Sequence, residues 1–92
     1  MVVKYTKNFL DKLENLFAAS SYHLRYEKGN FKSGYCLLKD TKVVIINKYF
    51  PLEGKINALI DILAELDFDP KEFKEKVNQD FLSELRQTTL KF

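Results

Sequence analysis

The sequence predicts an α+β domain in which three helices pack mainly on one face of a three-stranded antiparallel sheet, in the order α-β-β-β-α-α. Segments 9–17 and 52–66 repeat apolar residues at three- and four-residue spacing, which is typical of amphipathic helices. Four consecutive β-branched residues at 43–46 favour a strand. A chain of 92 residues, 46% hydrophobic, supports one hydrophobic core and is too short for two. We therefore expect a single domain over residues 1–92.

The first helix is predicted over residues 7–19. Thr6 precedes it as an N-cap, because its hydroxyl can accept a hydrogen bond from an amide of the first turn. Ser20 and Ser21 follow the last apolar residue and end the helix. The apolar stripe consists of Phe9, Leu10, Leu13, Leu16 and Phe17.

Three strands are predicted at residues 22–27, 33–39 and 42–47. The first alternates apolar and polar residues, which places His23, Arg25 and Glu27 on its solvated side. Turn signals at 28–30 and 39–42 make the connections short, and short connections imply antiparallel pairing of consecutive strands. The second sheet face would carry Cys36, Leu38 and alternate residues of the third strand, and it would be a partner surface if no helix covered it.

Two further helices are predicted after the strands, at residues 51–66 and 70–86, followed by a tail at 87–92. Asp69 as N-cap, Pro70 in the first turn and Glu72 two residues later form a capping-box signal for the last helix. Phe68 is placed to pack against Phe73. The predicted core face of the last helix is Phe73, Val77, Phe81 and Leu85.

Charge is distributed unevenly along the chain. Residues 1–55 carry ten Lys or Arg against five Asp or Glu, a net charge of +5, and residues 56–92 carry five against eight, a net charge of −3. This asymmetry can steer an acidic partner toward one face. Nucleic-acid binding through Arg25, Lys28, Lys32 and stacked tyrosines is an alternative that the small number of Arg residues disfavours.

The chain has one cysteine, Cys36, and one histidine, His23, and both are predicted to lie on neighbouring strands. A single cysteine cannot form an intramolecular disulfide, which favours a reducing compartment and a cytoplasmic location. The N-terminus has no apolar segment of signal-peptide or membrane-spanning length. Two residues of these types are too few for a structural zinc site, and no oxyanion-stabilising motif accompanies the thiol. We expect neither catalytic residues, nor a cofactor, nor a membrane partner.

Two carboxylates on the second helix supply an alternative. Asp61 and Glu65 are spaced i,i+4, so both side chains project from one helix face and could hold a hard cation with further oxygen ligands. A solvated acidic helix face is the competing interpretation. The turn after the first strand supplies a further candidate surface, which could bind an acidic peptide or a phosphate and consists of Lys28, Asn30, Phe31 and Lys32.

The segment 44–65 contains the Ile45-Ile46-Asn47 strand end, a short proline-containing connection and a following helix. In these features it resembles the zincin-type metallopeptidases that cleave phage-type repressors. In that family the helix bears H-E-x-x-H, whereas this chain has Asp61, Ile62 and Glu65 at the corresponding positions. Isoleucine can neither hold zinc nor activate its water. The resemblance, which covers about residues 9–66, therefore implies a small relative without catalytic activity.

These observations together predict a non-catalytic protein-binding or assembly module, with self-association as a homodimer as one form of assembly. A metal-binding, hydrolase-like protein centred on Asp61 and Glu65 is the second hypothesis, and a nucleic-acid binder is the third. No small-molecule ligand can be identified from the sequence. The candidate surface residues are Arg25, Lys28, Asn30, Phe31, Lys32, Asp61 and Glu65.

Overall fold

The computed structural model describes residues 3–28 and 35–88, and it has the predicted α+β architecture with the helices and strands in the predicted order. A short 3-10 turn, which the sequence did not indicate separately, lies before the last helix. The elements are α1 (Lys7–Ala19), β1 (His23–Glu27), β2 (Tyr35–Leu38), β3 (Val43–Asn47), α2 (Leu52–Leu66), the 3-10 turn (Pro70–Glu72) and α3 (Lys76–Thr88).

The ends of α1 are fixed by side-chain hydroxyls, as the sequence predicts. The Thr6 hydroxyl accepts a hydrogen bond from the Phe9 amide at 3.1 Å. At the other end, the Ser20 hydroxyl donates to the Phe17 carbonyl at 2.7 Å and accepts from the Tyr22 amide at 3.1 Å. Both ends of the helix therefore have partners for terminal backbone groups that the helix itself leaves unpaired.

The strand order of the sheet differs from the predicted meander. The order in space is β1-β3-β2, with β3 parallel to β1 and antiparallel to β2. The predicted antiparallel pairing of β2 with β3 is confirmed, and the predicted pairing of β1 with β2 is wrong. The sheet is mixed rather than purely antiparallel.

The composition of β3 explains its central position. Its four β-branched residues present apolar side chains to both faces of the sheet, so the strand gains most by pairing along both edges. The connection at 28–34 joins the two edge strands, which are separated by about 10 Å, twice the usual strand spacing. Seven residues suffice for that distance, so a turn signal after β1 does not require a hairpin with β2. The first two residues of the second predicted strand, 33 and 34, lie outside the described residues.

The helices lie on one side of the sheet, as predicted, with α1 against β1, α2 against β3, and α3 against α1. On that face the side chains of Val44 and Ile46 have no solvent exposure. Leu24 and Tyr26, their partners on β1, pack against the same core. The helical part of the core comprises Phe9, Leu10, Leu13, Leu16 and Phe17 from α1, Ile56, Leu59, Ile60, Ile62 and Leu63 from α2, and Phe81, Leu82 and Leu85 from α3.

The third predicted helix is two elements instead of one. The Asp69 carboxylate accepts from the Lys71 amide at 3.0 Å and starts a single 3-10 turn that ends at Phe73. α3 begins only at Lys76, and the Gln79 side-chain amide donates to the Phe73 carbonyl at 2.6 Å across the break. The capping signal at Asp69 therefore starts a single helical turn, and the prediction of one continuous helix over residues 70–86 is wrong.

The break changes which residues of α3 face the core. Val77 is 67% exposed, so its predicted core position is wrong, while Leu82 is almost fully buried. The predicted packing of Phe68 on Phe73 is confirmed by an edge contact with ring centroids 5.8 Å apart. α3 continues to Thr88, so the first two residues of the predicted tail are helical, and residues 89–92 lie outside the described part of the chain.

Candidate functional site

The face of the sheet opposite the helices is the candidate functional site, and we call it the open face. The register places side chains from all three strands on it, and each of them keeps some exposure to solvent. No helix within residues 3–28 and 35–88 packs over it. The open face consists of His23, Arg25 and Glu27 on β1, Cys36 and Leu38 on β2, and Val43, Ile45 and Asn47 on β3.

The open face has an apolar centre and a charged edge. Val43 and Ile45 on the central strand lie beside Leu38, which is 41% exposed. On β1, the Arg25 guanidinium lies 3.3 Å from the Glu27 carboxylate, and both side chains are largely solvated. An exposed pair of this kind contributes little to folding, because water screens the charges and ordering the side chains costs entropy.

The strand ends around this face carry most of the nearby charge. Lys28, Lys39, Lys42 and Lys48 all follow or precede strands and are exposed. Over residues 23–28 and 35–48 there are five basic residues against two acidic ones, and one of the basic residues, Lys39, pairs with Glu65 of α2. With Glu65 included, the net charge is +2. The apolar centre is therefore framed by a surplus of positive charge.

Cys36 and His23 are not neighbours in the structure, contrary to the sequence expectation. They lie on the two edge strands with β3 between them, so their strands are about 10 Å apart. Cys36 is partly buried and is in register with Ile45. The arrangement does not bring the imidazole to the thiol, and it leaves Cys36 as a small half-buried hydrophobic residue of the open face.

The tyrosines that could have formed a nucleic-acid stacking surface with Arg25 lie on the opposite sheet face. Tyr22 contacts Phe68 edge-on at 6.0 Å. The Tyr26 hydroxyl donates to the Glu14 carboxylate at 2.5 Å, and the Lys55 ammonium lies 5.2 Å from the Tyr26 ring centroid. Burial raises the pKa of Tyr26 well above its usual value, and the hydrogen bond to Glu14 raises it further. These rings serve packing rather than base stacking.

The predicted surface residues do not form one site. Arg25 belongs to the open face, and Lys28 is exposed just beyond β1. Glu65 lies on α2, where its carboxylate is 3.3 Å from the Lys39 ammonium. The remaining candidates from the turn, Asn30, Phe31 and Lys32, lie outside the described residues.

The acidic pair of α2 lacks the surroundings of a metal site. Asp61 is partly buried and Glu65 is exposed, while Ile62 between them has no solvent exposure and belongs to the core. Across the described ranges, 3–28 and 35–88, no three His, Cys, Asp or Glu side chains converge as metal ligands would.

A groove between α1 and α3 was missed by sequence reasoning. Its volume is about 230 Å³, and Asn78 lies in it with only 9% of its surface exposed. A helix starting at Lys76 places Asn78 on the same face as Phe81, Leu82 and Leu85, at three-, four- and seven-residue spacing. A polar residue on a core-facing stripe is the signal that could have identified it, had the helix start been known.

Comparisons with protein-family models, with curated proteins and with solved structures find no match to this chain. The resemblance to zincin-type metallopeptidases therefore stays a prediction. In the described part of the chain, none of the helices has both the length and the apolar character needed to cross a membrane.

Proposed function

We propose that the protein is a non-catalytic interaction module that binds an acidic protein surface through its open face. The observation that carries this proposal is the exposed apolar centre framed by lysines. Val43, Ile45 and Leu38 supply the apolar contact area. The net charge of +2 over the described strand region, with the Lys39 partner Glu65 included, supplies the sign preference. Complementary charge raises the association rate and fixes orientation, while apolar burial supplies affinity.

The composition of the open face favours a protein partner over a nucleic acid. Single-stranded nucleic acids bind aromatic platforms beside unpaired cations. Here Tyr22 and Tyr26 pack on the helix side, and the Arg25 guanidinium is already paired with Glu27. The centre of the face is aliphatic, which suits apolar side chains of another protein.

The size of the open face sets the expected affinity. Three strands about 4.8 Å apart and about five residues long cover roughly 250 Å². A stable protein interface buries about 800 Å² on each partner. Binding through this face alone is therefore expected to be weak and transient, and we expect affinities in the high micromolar to millimolar range.

The experiment is a two-dimensional NMR titration with blocked seven-residue peptides of alternating sequence. A peptide alternating Glu and Val is expected to shift the amide signals of the open-face residues, and a Lys and Val peptide of the same length is expected to shift them much less. Raising the salt concentration should weaken the response, because the charges involved are exposed. A peptide of Glu and Gly tests whether the apolar side chains are needed.

The variant Leu38→Glu places a negative charge on the open face at a position that is already 41% exposed, so the fold should tolerate it. It should weaken binding of the Glu and Val peptide at least fivefold. Tyr49→Glu is the matched control, because Tyr49 is 68% exposed and lies outside the open face. It should leave binding within twofold.

Several outcomes would decide against the proposal. Equal binding of the acidic and basic peptides would contradict the proposed preference for negative charge. Shifts confined to residues outside the open face would contradict the proposed binding site. Tighter binding of a single-stranded oligonucleotide, unaffected by Leu38→Glu, would favour the nucleic-acid alternative. Concentration-dependent shifts of the open-face residues without any peptide would support the proposal and identify a second copy as the acidic partner.

A further inference from the structure

The groove between α1 and α3 lies apart from the open face and is lined by groups of mixed chemistry. Phe81, which is 8% exposed, and the exposed Val77 supply apolar surface. Lys12 lines the groove from α1, with its ammonium 6.0 Å from the Phe81 ring centroid. Two amides, Asn15 and Asn78, and two carboxylates, Asp80 and Glu84, complete the lining.

Asn78 is the feature that distinguishes this groove from an ordinary gap between helices. It is the one buried polar residue recorded in the described ranges, with 9% exposure. Its backbone amide donates to the Glu75 carbonyl at 3.1 Å, but no group of residues 3–28 or 35–88 hydrogen-bonds its side-chain amide. Buried polar side chains in native proteins nearly always have a partner, and an unpaired one destabilises the fold. The side chain lines the groove, so a ligand there could supply that partner.

We propose that this groove binds a basic side chain together with the peptide group that adjoins it. A primary carboxamide offers one acceptor and two donors, which match the N–H and C=O of a peptide group. Lys12 contributes one positive charge to the lining, and Asp80 and Glu84 contribute one negative charge each. The lining therefore has a formal charge of −1, which favours a cation. The aliphatic stem of a lysine or arginine would lie along Val77 and Phe81.

The groove volume agrees with a ligand of that size. A lysine residue blocked at both ends has about a dozen non-hydrogen atoms, and 230 Å³ is sufficient for most of it. Small ligands of this kind contribute modest free energy per atom, so millimolar dissociation constants are expected. Weak binding of this strength is readily measured by NMR titration.

The experiment titrates the full chain with N-acetyl-lysine N-methylamide and follows the side-chain and backbone amide signals of Asn78 and its neighbours. N-acetyl-norleucine N-methylamide, which has a similar stem without the charge, should bind at least fivefold more weakly. Free L-lysine is the third probe. The blocked compound should bind more tightly than free lysine, because only the blocked compound has the peptide N–H and C=O groups that match the Asn78 carboxamide. Tighter binding of free lysine would overturn the proposed peptide-group contact.

The variant Asn78→Leu separates a ligand role from a structural one. The variant should weaken binding of the lysine compound at least tenfold. It should also raise the melting temperature by about 4 °C or more, because it removes an unpaired buried amide. Asn8→Leu, at an exposed position of α1, is the matched control and should change neither quantity appreciably.

The proposal would also be overturned by any of three further results. Asn78→Leu could lower the melting temperature, which would show that the amide is paired by an internal water and is structural. The norleucine compound could bind as tightly as the lysine compound, which would show that the groove binds the aliphatic stem and does not recognise the positive charge. All three probes could leave the signals of α1 and α3 unchanged at 20 mM, on the order of ten times the expected dissociation constant.

Discussion

The two faces of the sheet are built from the same strands but have opposite environments. Val44 and Ile46 point toward the helices and have no solvent exposure, whereas Val43 and Ile45, their neighbours in sequence, stay partly exposed. A strand with this composition would be buried on both sides in a three-layer protein. The difference indicates that β3 carries apolar residues on the open face beyond what the described fold requires, which is expected if that face serves binding.

Alanine substitution of adjacent β3 residues should show the largest difference between the faces. Ile46→Ala removes side-chain atoms from a fully buried position, and we expect it to lower the free energy of unfolding by about 3 kcal/mol. Ile45→Ala should cost about 1 kcal/mol, because part of its side chain is already in water. Urea denaturation of both variants measures the two values. Equal losses would mean that the open face is covered in solution.

The covered face also contains a titratable group whose contribution depends on pH. The pKa of Tyr26 is raised by burial and by the Glu14 carboxylate, so the folded state holds the phenol proton more strongly than the unfolded chain does. This contribution is complete below the unfolded-state pKa of about 10 and is lost as pH rises toward the folded-state pKa. We expect a loss of at most about 1 kcal/mol per pH unit above pH 10, after allowing for the partly exposed ring.

The variant Tyr26→Phe isolates that effect. At pH 7 it should lower the free energy of unfolding by about 1 kcal/mol, because it removes the hydrogen bond to Glu14. Between pH 10 and 11 the difference from the native protein should shrink, since phenylalanine has no proton to lose. Thermal unfolding at four pH values measures this. A difference that stays constant with pH would show that Tyr26 titrates normally.

The smallest effect should come from the ion pair of the open face. Arg25→Ala breaks the 3.3 Å contact with Glu27 and should change the free energy of unfolding by less than about 0.5 kcal/mol. Lys39→Ala, which breaks the exposed contact with Glu65, is the matched comparison and should have an equally small effect. A loss above 1 kcal/mol for Arg25→Ala alone would assign the pair a role in folding and weaken the case for a binding face.

The helices and the central strand could be predicted because their signals are local. Thr6 and Ser20 define the limits of α1, and the β-branched run defines β3. The neighbours of β3 could not be predicted, because one sequence shows which segments are strands but not which edges pair. Short connections favoured a hairpin between β1 and β2, whereas burial of β3 between both edge strands determined the order.

The candidate sites were harder to predict than the fold, for a different reason. The spacing of Asp61 and Glu65 predicts a pair of carboxylates on one helix face, but no cluster of three metal-ligating side chains forms in the described residues. The burial of Asn78 could not be predicted, because it depends on the helix phase that the break at residues 73–75 sets. Chemistry that depends on contacts between distant segments is not visible in spacing along one element.

The position of β3 at the centre of the sheet also gives the two edge strands unequal entropic costs of closure. β2 reaches β3 through a turn, with Leu38 paired to Val43, whereas β1 pairs His23 with the same Val43 from twenty positions away. The entropic cost of closing a loop grows with the logarithm of the number of residues in it. Pairing β1 with β3 therefore costs about 1 kcal/mol more than closing the hairpin between β2 and β3. The strand that bears the charged edge of the open face is thus joined to the sheet by the longer-range contact.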